Sequence, residues 1–222
     1  MTMILNKGQS ATVRKENGQP VMDITVGANW GKIDTLTNGL KTGVGFFDKL
    51  VGKATSAVGA KESVDLDLSV LTFDAQGNLV ERCYFGNQRT KGDILVHTGD
   101  DRQGDDEDDG LDNERIQIRS LKLAQTTAQT AVIILNNFTQ QPFEKIPYIR
   151  LGIYDGLFGL RDKAPRLLGF DLTGDKHFTG AKALILAKLV KTAQGWELVT
   201  IGEPTTDSSI LEMQRRIQQN YL

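Results

Sequence analysis

At 222 residues the chain is long enough to bury most of its apolar surface, and we expect a single domain spanning residues 1–222. The lone cysteine, Cys83, excludes an internal disulfide, and no stretch reaches the ~20 apolar residues that a membrane-spanning helix needs. The formal net charge of -2 is uneven, because residues 100–114 hold nine acids and the rest of the chain carries 25 basic and 19 acidic side chains. We therefore expect a soluble cytoplasmic protein with one concentrated acidic segment.

Strand-like patterns dominate the chain. The run VDLDLSV (64–70) alternates between apolar and polar residues, which predicts a half-buried strand with Asp65 and Asp67 on its polar face. The turn residues DAQGN (74–78) and the run LVERCYF then complete a hairpin. Further strand candidates are MDITVGA, DILVHT, RIQIRSL, AVIILNNF, YIRLGIYD, LLGFDL, ALILAKLVK and WELVTIG. Such short strands, separated by turns, predict a mainly all-β fold, an antiparallel β-sandwich.

One of these strand candidates is ambiguous. The Ala/Leu/Lys composition of AKALILAKLV also suits a helix. We favour a strand because the strand-like WELVTIG follows at once, after the turn TAQG.

Residues 35–63 differ from their surroundings by holding five glycines, and they read as an insertion between two strands. Apolar residues between the glycines, from Phe46 to Val58, recur at spacings that suit one helical face. We expect a Gly-rich loop that carries a short helix. The alternative is an amphipathic element that docks on a membrane or a partner.

The C-terminal residues 208–221 predict an amphipathic helix. Ser209 and Glu212 have the spacing of a capping box. Apolar residues at 210, 213, 217 and 221 recur at helical intervals, so one face of this helix is expected to lie on the sandwich.

The acidic run 99–116 favours a cation site over a solvated segment. Strand candidates flank it on both sides, and Gly99, Gly104 and Gly110 interrupt it, so that its carboxylates are confined and its backbone can turn. Its donors are oxygens only, which favours calcium or magnesium, and calcium better accepts irregular coordination by six to eight oxygens. An EF-hand is excluded, because Ile116 stands where the register from Asp105 requires a bidentate Glu.

The chain resembles the TerD-domain family, the calcium-binding proteins of bacterial tellurium-resistance and stress operons. The resemblance rests on LNKGQSATV, ITVGANW, VDLDLSVLTFDAQGNLV, YFGNQR and VHTGDDRQGDDEDDGLDNERIQI, and it covers nearly the whole chain except the insertion. The insertion and the divergent C-terminal half suggest a paralogue of the TerD, TerZ or TerX kind.

The resemblance implies two neighbouring calcium ions, bound between the Asp-x-Asp strand and the acidic loop. The centre of this loop, DDEDDGL, is longer than the family spacing. There we expect Asp105, Asp106 and Asp109 to coordinate, and Glu107 and Asp108 to point outwards. The full predicted ligand set is Asp65, Asp67, Asp100, Asp101, Gly104 through its carbonyl oxygen, Asp105, Asp106, Asp109, Asp112 and Glu114.

The function that follows is a non-enzymatic calcium-binding module of a tellurium-resistance and stress-response system. Bound ions would order the acidic loop into a surface for other proteins of that system, in the cytoplasm or at the inner face of the membrane. Direct binding of nucleic acid is not expected, because the concentrated charge is acidic. His97, His177 and Cys83 are expected to be structural.

Two other functions stay open at this point. One is a metal-dependent hydrolase or phosphoryl-transfer enzyme that uses two ions. The other is an acidic loop without an ion that binds a basic partner. Turnover with magnesium or manganese would indicate the first, and a mobile loop that ignores calcium would indicate the second.

Overall fold

The computed structural model describes residues 3–4, 10–11, 23–35 and 60–222. They form two six-stranded sheets and a two-stranded ribbon. The strands are β1 (Met3–Ile4), β2 (Ser10–Ala11), β3 (Asp23–Trp30), β4 (Ile33–Asp34), β5 (Lys61–Glu62), β6 (Leu66–Phe73), β7 (Leu79–Cys83), β8 (Leu95–His97), β9 (Glu114–Arg119), β10 (Thr130–Asn137), β11 (Ile149–Asp155), β12 (Arg166–Asp171), β13 (Ala183–Thr192) and β14 (Gly195–Thr205).

The two large sheets form the predicted sandwich. Their orders are β1-β12-β11-β3-β9-β8 and β2-β14-β13-β10-β6-β7, and β4 pairs with β5 in the ribbon. Neighbouring strands are antiparallel except for β1 and β12. Apolar residues from both sheets meet in one shared core, which contains Val26 and Ile116 from one sheet and Leu68 and Leu186 from the other. The β-sandwich prediction is confirmed.

The strand β6 corrects one expectation, because it is buried on both faces. Leu66, Leu68 and Val70 point into the core between the sheets. Leu71 and Phe73 enter a second apolar cluster, on the outer side of the sheet. A helix covers that outer side, which is why the predicted solvent face of β6 is closed.

The covering helix is the predicted C-terminal one. A short helix, α1 (Ser120–Leu123), follows β9, and the C-terminal helix, α2, spans Ile210–Asn220. The hydroxyl of Ser209 accepts a hydrogen bond from the backbone N–H of Glu212, which caps α2 as predicted. Met213 and Ile217 are buried in the second cluster against β6, β10 and β13. Short 3-10 turns at Lys91–Asp93, Phe143–Lys145 and Lys176–Phe178 complete the helical elements of the described residues.

Three sequence expectations remain, which concern the ambiguous run AKALILAKLV, the helix of the insertion and membrane-spanning helices. The ambiguous run AKALILAKLV forms the strand β13 and pairs with β14. The expected helix of the insertion falls on residues 36–59, which lie outside the described residues. Within the described part, no helix combines the length and the apolar character needed to cross a membrane.

Candidate metal centre

The site lies at one end of the sandwich, where the two sheets are joined by side chains. The strand β7 pairs with β6 only from Val70 onwards, so the first residues of β6 have an open edge. The acidic loop, residues 98–113, connects β8 to β9 in the opposite sheet. Glu114, the first residue of β9, reaches across and accepts a hydrogen bond of 2.8 Å from the backbone N–H of Leu68. The start of β6 and the acidic loop therefore form the two halves of one site.

The acidic loop is anchored in its middle as well as at its ends. The backbone N–H of Asp105 donates to the carbonyl of Trp30 (3.0 Å), and the carbonyl of Asp105 accepts from Lys32 (2.9 Å). The carbonyl of Gln103 accepts from Val64 (2.9 Å), just before β6. These contacts confine the carboxylates of the loop, so they cannot relieve their repulsion by moving apart.

Three of the predicted ligands come together. Among the described residues, Asp65, Asp67 and Asp100 each offer a carboxylate oxygen, and these oxygens lie within 4.8 Å of one another. Asp67 is 3% exposed and accepts a hydrogen bond of 3.1 Å from the amide of Asn136. A buried oxygen of Asp65, Oδ1, has no hydrogen-bond partner. We call Asp65, Asp67 and Asp100 the carboxylate triad.

The triad is electrostatically strained when no cation is present. Burial raises the pKa of Asp67 to about 8, and the charges of Glu114, Asp65 and Asp100 add to the effect. Burial also raises the pKa of Asp65, with the charge of Asp100 next in importance. Carboxylates in this position must share protons or take up a cation. Since a cation favours the ionised form, the arrangement is suited to a divalent ion.

A buried pair, Glu114 and His97, lies behind the triad. Both side chains are fully buried, and Nε2 of His97 lies 3.3 Å from Oε2 of Glu114. The other ring nitrogen, Nδ1, accepts from the backbone N–H of Gly99 (3.4 Å), so Nε2 is the donor to Glu114. The second carboxylate oxygen of Glu114 accepts from the backbone N–H of Asp101 (3.3 Å). Glu114 thus holds β6 and the acidic loop together.

A second group of polar residues surrounds Asp105. The amide nitrogen of Asn113 donates to both Asp101 and Asp105, at 2.8 Å each. Asn29 and the hydroxyl of Tyr148 also donate to Asp105, at 3.1 Å each. These carboxylates are already satisfied by neutral donors, in contrast to those of the triad.

Two other acids of the predicted set, Asp106 and Asp109, have partners outside the triad. Asp106 is exposed and pairs with Lys32 at 3.2 Å, and Asp109 accepts from the backbone of Leu111 within the loop. Gly104 has a φ of +76°, and a Cβ there would lie 2.7 Å from the ring of Trp30, so packing alone requires glycine. The structure does not bring Asp106 or Asp109 into the triad.

Asp112 stands apart from the triad in a buried ion pair. Its carboxylate lies 2.7 Å from Nε of Arg115 and also accepts a hydrogen bond of 2.7 Å from Tyr154. It packs on Gly27 so closely that a Cβ on this glycine would lie 2.1 Å from Oδ2 of Asp112. The guanidinium of Arg115 also donates to the carbonyl of Asp162 (2.9 Å). Asp112 therefore has a protein cation as its partner.

Several residues of the site were not predicted to belong to it. His97 was expected to be structural, and its contact with Glu114 places it directly behind the triad. The amides Asn29, Asn113 and Asn136 each contact a loop or triad carboxylate. Their positions within the ITVGANW strand, the acidic loop and the AVIILNNF strand are the only signal that the sequence offers for them.

Comparison with known proteins shows the family of this chain. Residues 1–214 match the profile of the TerD domain. The chain belongs to the TerD family. It is similar to the tellurium resistance protein TerX of Serratia marcescens, with 26% identity over 241 residues that cover 100% of both chains. It is also similar to the stress response protein SCP2 of Bacillus subtilis (strain 168), with 26% identity over 219 residues, 95% of this chain and 96% of SCP2.

The TerD fold is also seen in a solved structure. The crystal structure of a homologue of telluride resistance protein (TerD) from Streptomyces coelicolor A3(2) matches with a TM-score of 0.60. The match covers 87% of this chain and 95% of that chain at 14% identity, so it supports the fold alone. The names of the two sequence relatives place this TerD chain in a family of tellurium resistance and stress response, and neither name is that of an enzyme.

Proposed function

We propose that this protein binds calcium at the carboxylate triad and serves tellurium resistance or stress response in the cytoplasm as a non-enzymatic module. The observation that carries the proposal is the meeting of three carboxylates, two of them from β6 and its approach and one from the acidic loop. Oxygen ligands without sulfur or nitrogen favour a hard cation, and irregular coordination favours calcium over magnesium.

The ion would also control the acidic loop. Without a cation, repulsion between the charges of Asp100 and Asp65 works against the contacts of Glu114 that hold the loop on β6, so the loop is held less firmly. With calcium, the same three carboxylates attract a common charge and hold the loop on the strand. An ordered loop offers a defined surface to other proteins of the resistance and stress system.

The predicted second ion is a separate question. Two other predicted ligands in the acidic loop, Asp101 and Asp105, are partly buried near the triad. The side-chain amide of Asn113 donates hydrogen bonds to both of their carboxylates. A second calcium there must displace or rearrange this amide. The stoichiometry of two therefore stays a prediction, which a calcium titration measures directly.

Isothermal titration calorimetry of calcium tests the proposal. We expect tight binding by the native chain and loss of that binding in Asp65→Asn/Asp67→Asn. The matched control is Asp93→Asn/Asp171→Asn, which also removes two carboxylates, both exposed and each in an ion pair with an arginine. Unchanged calcium affinity in the triad variant would overturn the proposal.

Hydrogen exchange reports the effect on the loop. We expect amide exchange in residues 98–113 to slow when calcium is added to the native chain and to be insensitive to calcium in Asp65→Asn/Asp67→Asn. Calcium binding without any change in exchange would leave the metal site in place and refute the ordering of the loop.

A further inference from the structure

Two phenylalanine rings are exposed at the same end of the sandwich as the triad. Phe85, just after β7, is 40% exposed, and Phe138, just after β10, is 61% exposed. Their rings meet edge to face with centroids 6.2 Å apart, and Tyr84 lies 5.2 Å from Phe85. We call Tyr84, Phe85 and Phe138 the aromatic patch. Clustered, exposed aromatic rings of this kind mark an interaction surface.

The aromatic patch is continuous with the metal centre. The backbone N–H of Phe138 donates to the carbonyl of Asp65 at 2.8 Å. Two residues earlier, Asn136 donates its amide to the carboxylate of Asp67. Any partner that covers Phe138 therefore comes close to an ion held by the triad.

The charges around this end of the sandwich depend on the ion. The guanidinium of Arg82 lies 5.1 Å from the centroid of the Tyr84 ring, and Arg102, whose side chain is 77% exposed, lies 3.8 Å from Asp100. Without an ion, the triad and the other acids of the acidic loop make this end of the sandwich negative. A divalent cation offsets two of these charges and places a cationic centre near the aromatic patch and the two arginines. A cation beside aromatic rings is complemented by an anionic surface with an apolar layer beneath.

We propose that the aromatic patch docks on an anionic phospholipid surface when the triad holds calcium. This proposal rests on the proposed function. Calcium takes six to eight oxygen ligands, so lipid phosphate or carboxylate oxygens can complete a shell begun by three carboxylates. Aromatic rings are favoured at the boundary between headgroups and acyl chains, where Phe85 and Phe138 would lie.

Co-sedimentation with vesicles tests the docking. The full chain is mixed with vesicles of phosphatidylcholine alone or with added phosphatidylserine, in calcium, in magnesium or in a chelator. We expect binding to the phosphatidylserine vesicles in calcium only. In Phe85→Ser/Phe138→Ser, vesicle affinity should fall about ten-fold or more, while calcium affinity measured by calorimetry without vesicles stays unchanged.

The matched control is Leu121→Ser/Leu222→Ser. It also removes two exposed apolar side chains, 57% and 47% exposed, at the opposite end of the sandwich from the triad. Leu121 follows the far end of β9, and Leu222 lies beside Gly77 in the turn between β6 and β7. Vesicle binding by this variant should equal that of the native chain. Equal losses in both double variants would overturn the assignment to the aromatic patch.

The outcomes separate this proposal from the calcium site itself. Calcium binding by calorimetry without vesicle binding would overturn the membrane proposal and leave the proposed function intact. Absence of calcium binding would overturn the proposed function. An acidic amphipathic peptide titrated in the same buffer provides the third arm, and binding of this peptide in place of vesicles would assign the patch to a protein partner and refute the lipid proposal.

Discussion

Substitution of Asp112 tests whether this carboxylate is a structural partner of Arg115 or a metal ligand. The side chains of Asp112 and Arg115 are 0% and 3% exposed and lie 2.7 Å apart. Removing one partner of a buried pair leaves an uncompensated charge, which costs about 3–5 kcal/mol. A domain is stable by only about 5–15 kcal/mol, so the Asp112→Ala variant should lose a large part of its free energy of unfolding. Asp112→Asn keeps an acceptor and should lower the free energy of unfolding by about 1.5–3 kcal/mol.

The assay is urea unfolding in the presence of a chelator, followed by calcium calorimetry on the folded Asp112→Asn variant. Asp106→Ala is the control, since its exposed pair with Lys32 should contribute less than about 1 kcal/mol. The double variant Asp112→Leu/Arg115→Met should recover part of the loss, because it removes both charges together. Native-like stability with a large loss of calcium affinity in Asp112→Asn would refute the structural role and restore Asp112 as a ligand.

Two further predictions concern the core and the pH dependence of stability. Met213→Ala should lower the free energy of unfolding by about 2–5 kcal/mol, because Met213 is fully buried between α2 and the sheet. Leu211→Ala, on the exposed face of α2, should change it by less than about 0.5 kcal/mol. Similar losses for the two variants in urea unfolding would contradict this packing. In calcium-free solution the pKa of Asp67 is about 8 in the folded chain and 3.8 in the unfolded chain. Between these pH values only the folded chain keeps the proton, so the free energy of unfolding should fall as the pH rises. Asp67→Asn should remove that part of the slope in urea unfolding at several pH values, and an unchanged slope would show that Asp67 is not the group responsible.

The sandwich could be predicted because its strands carry their own signals. Alternation and turn residues marked the β6–β7 hairpin, and a strand-like neighbour settled β13, which then paired with β14. Burial on both faces of β6 could not be read from its alternation. It depends on α2, which begins about 140 residues later in the chain and covers the outer side of the sheet.

The meeting of Asp65, Asp67 and Asp100 was predictable from the sequence, whereas the contacts of the other acids were less so. Asp65 and Asp67 share a strand face by spacing, and the family resemblance connected them to the acidic loop, where Asp100 meets them. The role of Asp112 depends on Tyr154, which belongs to the distant strand β11. No local pattern in the acidic run separates a carboxylate that pairs with Arg115 from one that faces the triad.

The contrast between Asp112 and the triad gives a physical reason for a cation site at this end of the fold. Asp112 is deeply buried and has the guanidinium of Arg115 at hydrogen-bond distance. Asp100 has only the longer contact of 3.8 Å to the exposed Arg102 among the ion pairs of the described residues, and Asp67 has the neutral amide of Asn136. Since the fold supplies no comparable cation to the triad within the described part of the chain, its charge must be balanced by protons or by an ion from solution. Above the pKa of Asp67, near 8, proton binding is lost and an ion from solution becomes the remaining way to balance the charge of the triad.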